Sequence, residues 1–250
     1  MNNRTFITGD VHGCVGKLHR FYQWHKSELC KDSVMVIAGD WGFIFTPDEK
    51  EQRQENMLKE ILDGFDITFF VVLGNHENYD RIEKLPTKQM FGNTVRYEPE
   101  FENIVYAVNG NYYTINDKLF WVMGGAFSPD AYKRTPKLDW WAQEVPDKET
   151  LDACLENFQN GDVASIDYVV THTCPLNLQP YNKYTSAVWV KQMTDIEINL
   201  DIENMLQKVY DHLKQHNNKF EWYCGHFHLD QQREIRFLYN DVVELKGGTQ

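Results

Sequence analysis

Hydrophobic residues along the first third of the chain fall in short, unbroken, β-branched or aromatic runs: "TFIT" (Thr5–Thr8), "VMVIA" (Val34–Ala38) and "ITFFVVL" (Ile67–Leu73). Continuous apolar runs of this length, closed by glycine, predict strands buried on both faces. Between them the pattern changes period. Leu18, Phe21, Tyr22, His25 and Leu29 recur at helical spacing, and so do Met57, Leu58, Ile61, Leu62 and Phe65. The alternation predicts a β-α-β-α-β start with parallel strands and right-handed crossovers.

The second half is richer in strands. "NYYTI", "LFWVMGGA", "IDYVV" (Ile166–Val170), "FEWYC", "EIRFLY" and "VVEL" all have strand character, with Asn240-Asp241 as a turn between the last two. Leu151, Cys154, Leu155 and Phe158 predict a helix over about Thr150–Phe158, and a longer helical stretch is expected between Ser186 and Leu213, broken near Asn199. The aromatic, proline-bearing segment Phe127–Pro146 is expected to be an irregular loop over a site. No repeat or proline/glycine-rich linker divides the chain, so residues 1–250 are expected to form one α/β domain.

Composition narrows the function. With 42% apolar and 14% aromatic residues among 250, the chain has the makings of a substantial core. A net charge of −12, with no lysine/arginine run, argues against a binder of duplex nucleic acid. The longest apolar run is far short of a membrane span, and "MNNRTFITGD" lacks the apolar core of a signal peptide. Five scattered cysteines without a C-x-x-C pair suggest neither a disulfide framework nor a cysteine zinc site, so a cytoplasmic location is expected.

The chemistry sits where the strands end. The first strand ends in "GDVHG" (Gly9–Gly13), the second in "GDWG" (Gly39–Gly42) and the third in "GNHE" (Gly74–Glu77). "IDYVV" ends in "THTCP" (Thr171–Pro175), and "FEWYC" runs into "GHFH" (Gly225–His228). Functional groups of α/β sheets gather at carboxyl ends of strands, and glycine lets the backbone turn there and approach a ligand closely. Asp10, His12, Asp40, Asn75, His172, His226 and His228 form a mixed imidazole and oxygen donor set, suited to first-row divalent ions. Seven donors are too many for one tetrahedral ion but suit two ions sharing a carboxylate.

This ordered set of motifs, spanning Gly9 to His228, resembles the calcineurin-like metallophosphoesterase superfamily. The segment "GGAFSPDAYKR…WW…E…DYVVTHTCP" further resembles a group of bacterial and phage members. The resemblance implies a central β-sandwich flanked by helices, with a dinuclear site along one edge. It assigns Asp10, His12 and His228 to one metal, Asn75, His172 and His226 to the other, and Asp40 to the bridge. His76 corresponds to the residue that protonates the leaving group. The implied cofactors are two divalent ions, Mn²⁺ first, with Fe²⁺, Zn²⁺ or Ni²⁺ as alternatives. The implied reaction is hydrolysis of a phosphate ester by in-line attack of a metal-bound hydroxide.

One departure bears on the substrate. Phosphoprotein phosphatases of the superfamily carry "GDxVDRG", whereas this chain has "GDWGFIF", with Phe43 and Ile44 in place of the Asp and Arg. An apolar surface there would suit a diester's second substituent, so a small phosphoester or nucleotide with phosphodiester character is the expected substrate. A serine/threonine phosphoprotein phosphatase, a nucleotide polyphosphate hydrolase and a non-catalytic interaction module are the alternatives. Lys133 and Arg134 are candidate phosphate grips, with Asp130 to position them, and Trp140-Trp141 a candidate stacking pair. Cys14, Cys174 and Cys224 adjoin the motifs and are expected to be inert buried thiols.

Overall fold

The computed structural model describes residues 3–180, 198–217 and 219–246. The predicted opening is present: β1 (Thr5–Thr8), α1 (Val15–His25), β2 (Val34–Ala38), α2 (Glu49–Asp63) and β3 (Thr68–Val72), with β1, β2 and β3 paired in parallel. A one-turn helix α3 (Tyr79–Ile82) follows, and then β4 (Thr87–Met90), β5 (Asn93–Glu98) and β6 (Phe101–Ala107). β4 and β5 carry no continuous apolar run, whereas β6 ends in the run Ile104–Ala107. β4, whose exposure alternates, pairs antiparallel with β5 at the sheet's edge, and β6 joins β5 to β3. Among the described residues, the remaining strands and α-helices are β7 (Tyr112–Ile115), β8 (Lys118–Met123), α4 (Lys148–Asn160), β9 (Tyr168–Thr171), α5 (Asp201–His216), β10 (Glu221–Cys224), β11 (Gln231–Gln232), β12 (Arg236–Phe237) and β13 (Val242–Glu244).

Two mixed sheets result, one ordered β13-β1-β2-β3-β6-β5-β4 and the other β11-β12-β10-β9-β8-β7. Side chains alternate across each strand, so each sheet has two apolar faces to cover. Ile7, Val36, Phe70 and Val105 of the first sheet pack with Phe120, Val122, Val170 and Tyr223 of the second. The outer face of the first sheet, with Phe6, Met35 and Phe69, is covered by Leu18 and Phe21 of α1 and Leu62 of α2. Trp121, Val169 and Trp222 of the second are covered by Leu151 and Phe158 of α4 and Leu206 and Val209 of α5. This is a β-sandwich flanked by helices.

Three expectations change. Asn240-Asp241 is a turn, but β12 pairs in the second sheet and β13 pairs with β1 in the first, so the turn carries the chain between sheets rather than closing a hairpin. In α2 the anticipated inward residues Met57, Leu58 and Ile61 are exposed, while Glu55 and Lys59 are buried. Those two buried charges are paired, Glu55 with Arg81 and Lys59 with Glu98, and so tolerate an inward position that periodicity assigns to apolar groups. The long helical stretch is α5, which starts just after Asn199; residues 186–197 of the expected stretch lie outside the described residues. Helix ends follow the sequence, with Asp48 accepting from the Lys50 and Glu51 amides at the start of α2 and Asp147 from Thr150 at the start of α4.

Candidate active site

β1, β2 and β3 run parallel side by side in one sheet, and β9 and β10 do so in the other. Their carboxyl ends deliver Asp10 and His12, Asp40, Asn75 and His76, His172, and His226 and His228 to one edge of the sandwich. The turns that carry these residues are strained. His12, Asp40, His226 and His228 all lie at positive φ, between 45° and 63°. Non-glycine residues hold that region only where surroundings over-determine it, and such strain concentrates at functional sites. Two glycines are required for approach as well as for turning. A Cβ on Gly39 (φ +97°) would lie 1.9 Å from His172 Nδ1, and one on Gly74 would lie 2.1 Å from the Asp40 backbone nitrogen.

All seven predicted donors come together. On one side, His12 Nε2 and His228 Nε2 lie 3.0 Å apart, with Asp10 Oδ2 3.1 Å from His228 Nε2 and 4.0 Å from His12 Nε2. On the other, Asn75 Oδ1 lies 2.9 Å from His172 Nε2 and 3.1 Å from His226 Nδ1. Asp40 stands between them, its Oδ2 3.7 Å from His12 Nε2 and its Oδ1 3.2 Å from His172 Nε2. Nδ1 of His172 donates to Ala38 O at 3.0 Å, so Nε2 is the nitrogen that faces Asn75 Oδ1 and Asp40 Oδ1, where it holds a proton without a cation and would offer its lone pair to one.

Carboxylate and amide oxygens converging on imidazoles call for a positive charge, and without a cation the His172 proton supplies it. Asp10 Oδ2 is buried and accepts no hydrogen bond. Burial alone would lower the His172 pKa, but Asp40, through charge and hydrogen bond, and then Asp10 carry it up to about 10. Asp40 is held well below the ordinary carboxylate range: burial raises it, and the charge and hydrogen bond of His172 more than reverse that. His226, which burial pushes down to about 3, remains a neutral ligand-type imidazole. Asp10, His12, Asp40 and His228 offer donor atoms all within 4.8 Å of one another. This donor set fits divalent metal.

His76 is half-buried beside these groups. Its backbone N–H donates to Asp40 Oδ1 at 2.8 Å, its ring meets that of His12 edge-on at 5.0 Å, and Phe45 stacks on it at 6.1 Å. Its partner is Arg134, whose Nη2 lies 3.3 Å from His76 Nε2. Arg134 is itself fixed, with Nε and Nη2 donating to the two oxygens of Asp130 and Nη1 donating to Asp139 O. The segment 127–146 thus brings a guanidinium to His76. Lys133 it does not bring: that side chain is exposed, its ammonium over the Tyr132 ring.

Phe43 and Ile44 are corrected. Both are fully buried in the core, so they give the site no apolar wall. Trp141 is buried against Phe45 and Trp140 is half-buried. Cys174 and Cys224 are buried, whereas Cys14 is exposed. Two residues were not singled out from sequence. Ser128 accepts from Asn75 Nδ2 at 3.0 Å and donates to Glu144 Oε2 at 2.6 Å, and Glu144 Oε1 accepts the Ser128 N–H at 2.7 Å. The signal for them was the "S" and the "E" of the "GGAFSPDAYKR…WW…E" pattern.

A family model for calcineurin-like phosphoesterases matches residues 4–230, a span that contains every residue of this site. The chain belongs to that family. It is a phosphoester hydrolase, and its Asp and His cluster is a candidate site for divalent metal. No curated protein matches the chain. Among solved structures, a phosphopantetheinyl hydrolase from Mycobacterium tuberculosis is similar, 13% identical with a TM-score of 0.44, the match covering 94% of this phosphoesterase and 88% of that chain. Among the described residues, no helix is long and apolar enough to cross a membrane.

Proposed function

We propose that this phosphoesterase hydrolyses phosphomonoesters with two divalent cations, one held by Asp10, His12 and His228, the other by Asn75, His172 and His226, with Asp40 shared. Mn²⁺ is the first candidate, because mixed imidazole, carboxylate and amide oxygen donors suit a borderline first-row ion. When bound, such ions activate water as a nucleophile and neutralise the phosphate oxygens. The strained turns and close glycine contacts hold the donors before any ligand arrives, so little reorganisation is left for the reaction.

Arg134 carries the monoester reading. Its guanidinium is clamped by Asp130 and reaches His76, which puts a fixed cation beside the metal donors. A monoester presents about two negative charges to such a cation, and a diester only one. The diester preference expected from sequence depended on Phe43 and Ile44 facing the site, and both are in the core. His76 adjoins Asn75 without belonging to the donor set, and with Nε2 accepting from Arg134 the ring hydrogen it can give to a departing ester oxygen is the one on Nδ1. A diester reading keeps one support, the half-buried Phe45 ring that stacks on His76 and could face a second substituent.

The substrate class is a small phosphoester, nucleotides included. Five unpaired thiols favour a reducing, cytoplasmic setting. The deciding measurement is kcat/KM of Mn²⁺-reconstituted protein for nitrophenyl phosphate, bis-nitrophenyl phosphate and a phosphoserine peptide. Preference for nitrophenyl phosphate, lost in Arg134→Ala, is the expected result. Preference for the diester, unchanged in Arg134→Ala, would sink the monoester reading.

A further inference from the structure

An asparagine amide has two unlike ends, and only the oxygen can face a cation. What sets the direction of Asn75 is therefore a question about its nitrogen. Asn75 Nδ2 is 3.0 Å from Ser128 Oγ, and all three residues of the chain Asn75, Ser128 and Glu144 are buried. A serine hydroxyl has one hydrogen to give. Here it goes to Glu144 Oε2 at 2.6 Å, while Glu144 Oε1 takes the Ser128 amide hydrogen at 2.7 Å. With its hydrogen committed, Ser128 Oγ has only lone pairs left for Asn75, so the amide must present Nδ2 to it. Oδ1 then faces His172 Nε2 and His226 Nδ1.

We infer that Ser128 and Glu144 are positioning residues that lock the Asn75 amide with its oxygen toward the buried cation site. The inference rests on Asn75 being a cation ligand. Ser128 and Glu144 lie at the two ends of the 127–146 loop, Glu144 closing a 3₁₀ turn at Ala142–Glu144, so the loop that delivers Arg134 also sets a ligand. A purely structural staple would use the same hydrogen bonds, but would not change cation affinity through Asn75.

The test is Mn²⁺ titration of cation-free protein, followed by calorimetry, for wild type, Ser128→Ala, Ser128→Thr, Asn75→Ala and the double variant Asn75→Ala/Ser128→Ala. Partners that orient a metal ligand typically matter by about 10–100-fold in affinity. Ser128→Ala should lose that factor at one of the two sites, Ser128→Thr should restore it, and on Asn75→Ala the serine substitution should cost nothing more. In the cation-free protein, the Asn75 side-chain NH₂ should exchange slowly by NMR in wild type and faster in Ser128→Ala. Wild-type affinity in a folded Ser128→Ala, or an undiminished loss on the Asn75→Ala background, overturns the inference while leaving the metal reading standing. A wild type that takes up no divalent cation overturns both. Where Ser128→Ala fails to fold, Glu144→Gln carries the test, since a glutamine NH₂ facing Ser128 Oγ frees the hydroxyl hydrogen to invite a flipped amide. A several-fold loss supports the lock, and wild-type affinity overturns it.

Discussion

The two halves of the donor set differ in how they meet water. His172 has no exposed side-chain surface, and Asn75 and His226 are buried, whereas the side chains of His12 and His228 are 30% and 45% exposed. The buried half is held from behind at every residue: His172 by Ala38 O, Asn75 by Ser128, and the His226 backbone by Asp10 Oδ1. The open half has two imidazoles that face each other at 3.0 Å, with Tyr239 stacked on His228. Fixed ligands lose little freedom on binding a cation, and mobile ones lose more. The buried half should therefore hold its cation more tightly and release it more slowly than the open half.

The largest effect is expected where the halves join. Asp40 reaches His12 with one oxygen and His172 with the other, so its negative charge serves both. In Asp40→Asn both cations should be weakened together and turnover should fall by more than about 10⁴-fold, because the groups act as a unit. Elemental analysis checks this directly. Retention of one cation at full occupancy would show that the halves are independent and that Asp40 belongs to one of them.

Next comes His76, which leans on the open half through His12 without sharing its ligand role. His76→Ala should lower turnover by about two to four orders of magnitude, the scale of a lost general acid, with cation content unchanged. The loss should shrink for nitrophenyl esters, whose leaving group needs no proton. Equal losses on nitrophenyl and alkyl phosphates would argue against proton donation.

The sequence disclosed the donors of both halves and little of what holds them. Each motif is local, a glycine and a polar residue just past a buried strand, so all seven donors and His76 could be named from the chain alone. What holds the donors is not local. Ala38 O reaches His172 across 134 residues, and Ser128 and Arg134 reach Asn75 and His76 from a loop with no periodicity to orient it. The same limit explains the misplacement of Phe43 and Ile44. Position after a glycine turn does not say which way a side chain points, and these two point into the core. It also explains β12 and β13, whose turn was visible but whose partners lie in different sheets.

Removing one histidine from each half sharpens the comparison. His172→Ala leaves Asp40 and Asp10 buried beside a void, and loss of one partner from a buried charged cluster costs about 3–5 kcal/mol. His228→Ala removes a half-exposed ring and its stack on Tyr239, and should cost about 1 kcal/mol, the ordinary scale of a point substitution. Urea unfolding of both variants in excess chelator gives these values free of cation effects. Similar destabilisation in the two would erase the distinction between a built half and an open one.

The smallest effect tests how deeply the buried half is set into the protein. Thr173, next to His172, donates through Oγ1 to Glu203 Oε1, and Glu203 is buried with its other oxygen unpartnered. Burial pushes this carboxyl up to about 7 from an ordinary 4.5. A carboxyl with a raised folded-state pKa binds its proton more tightly folded than unfolded, so it lowers stability as pH rises from about 4.5 to 7 and no further above that. The full penalty is about 3 kcal/mol, the shift taken at 1.36 kcal/mol per pH unit. Glu203→Gln cannot ionise and escapes the penalty, but its NH₂ inherits the unpartnered position at a cost of about 1–3 kcal/mol. That cost does not depend on pH, so the informative quantity is the change with pH. The stability of Glu203→Gln relative to wild type should improve by about 3 kcal/mol between pH 4.5 and pH 8, most steeply near pH 6, in chelator-treated protein. A difference flat across that range would mean that Glu203 titrates as an exposed carboxylate does and that the wall behind His172 is wet.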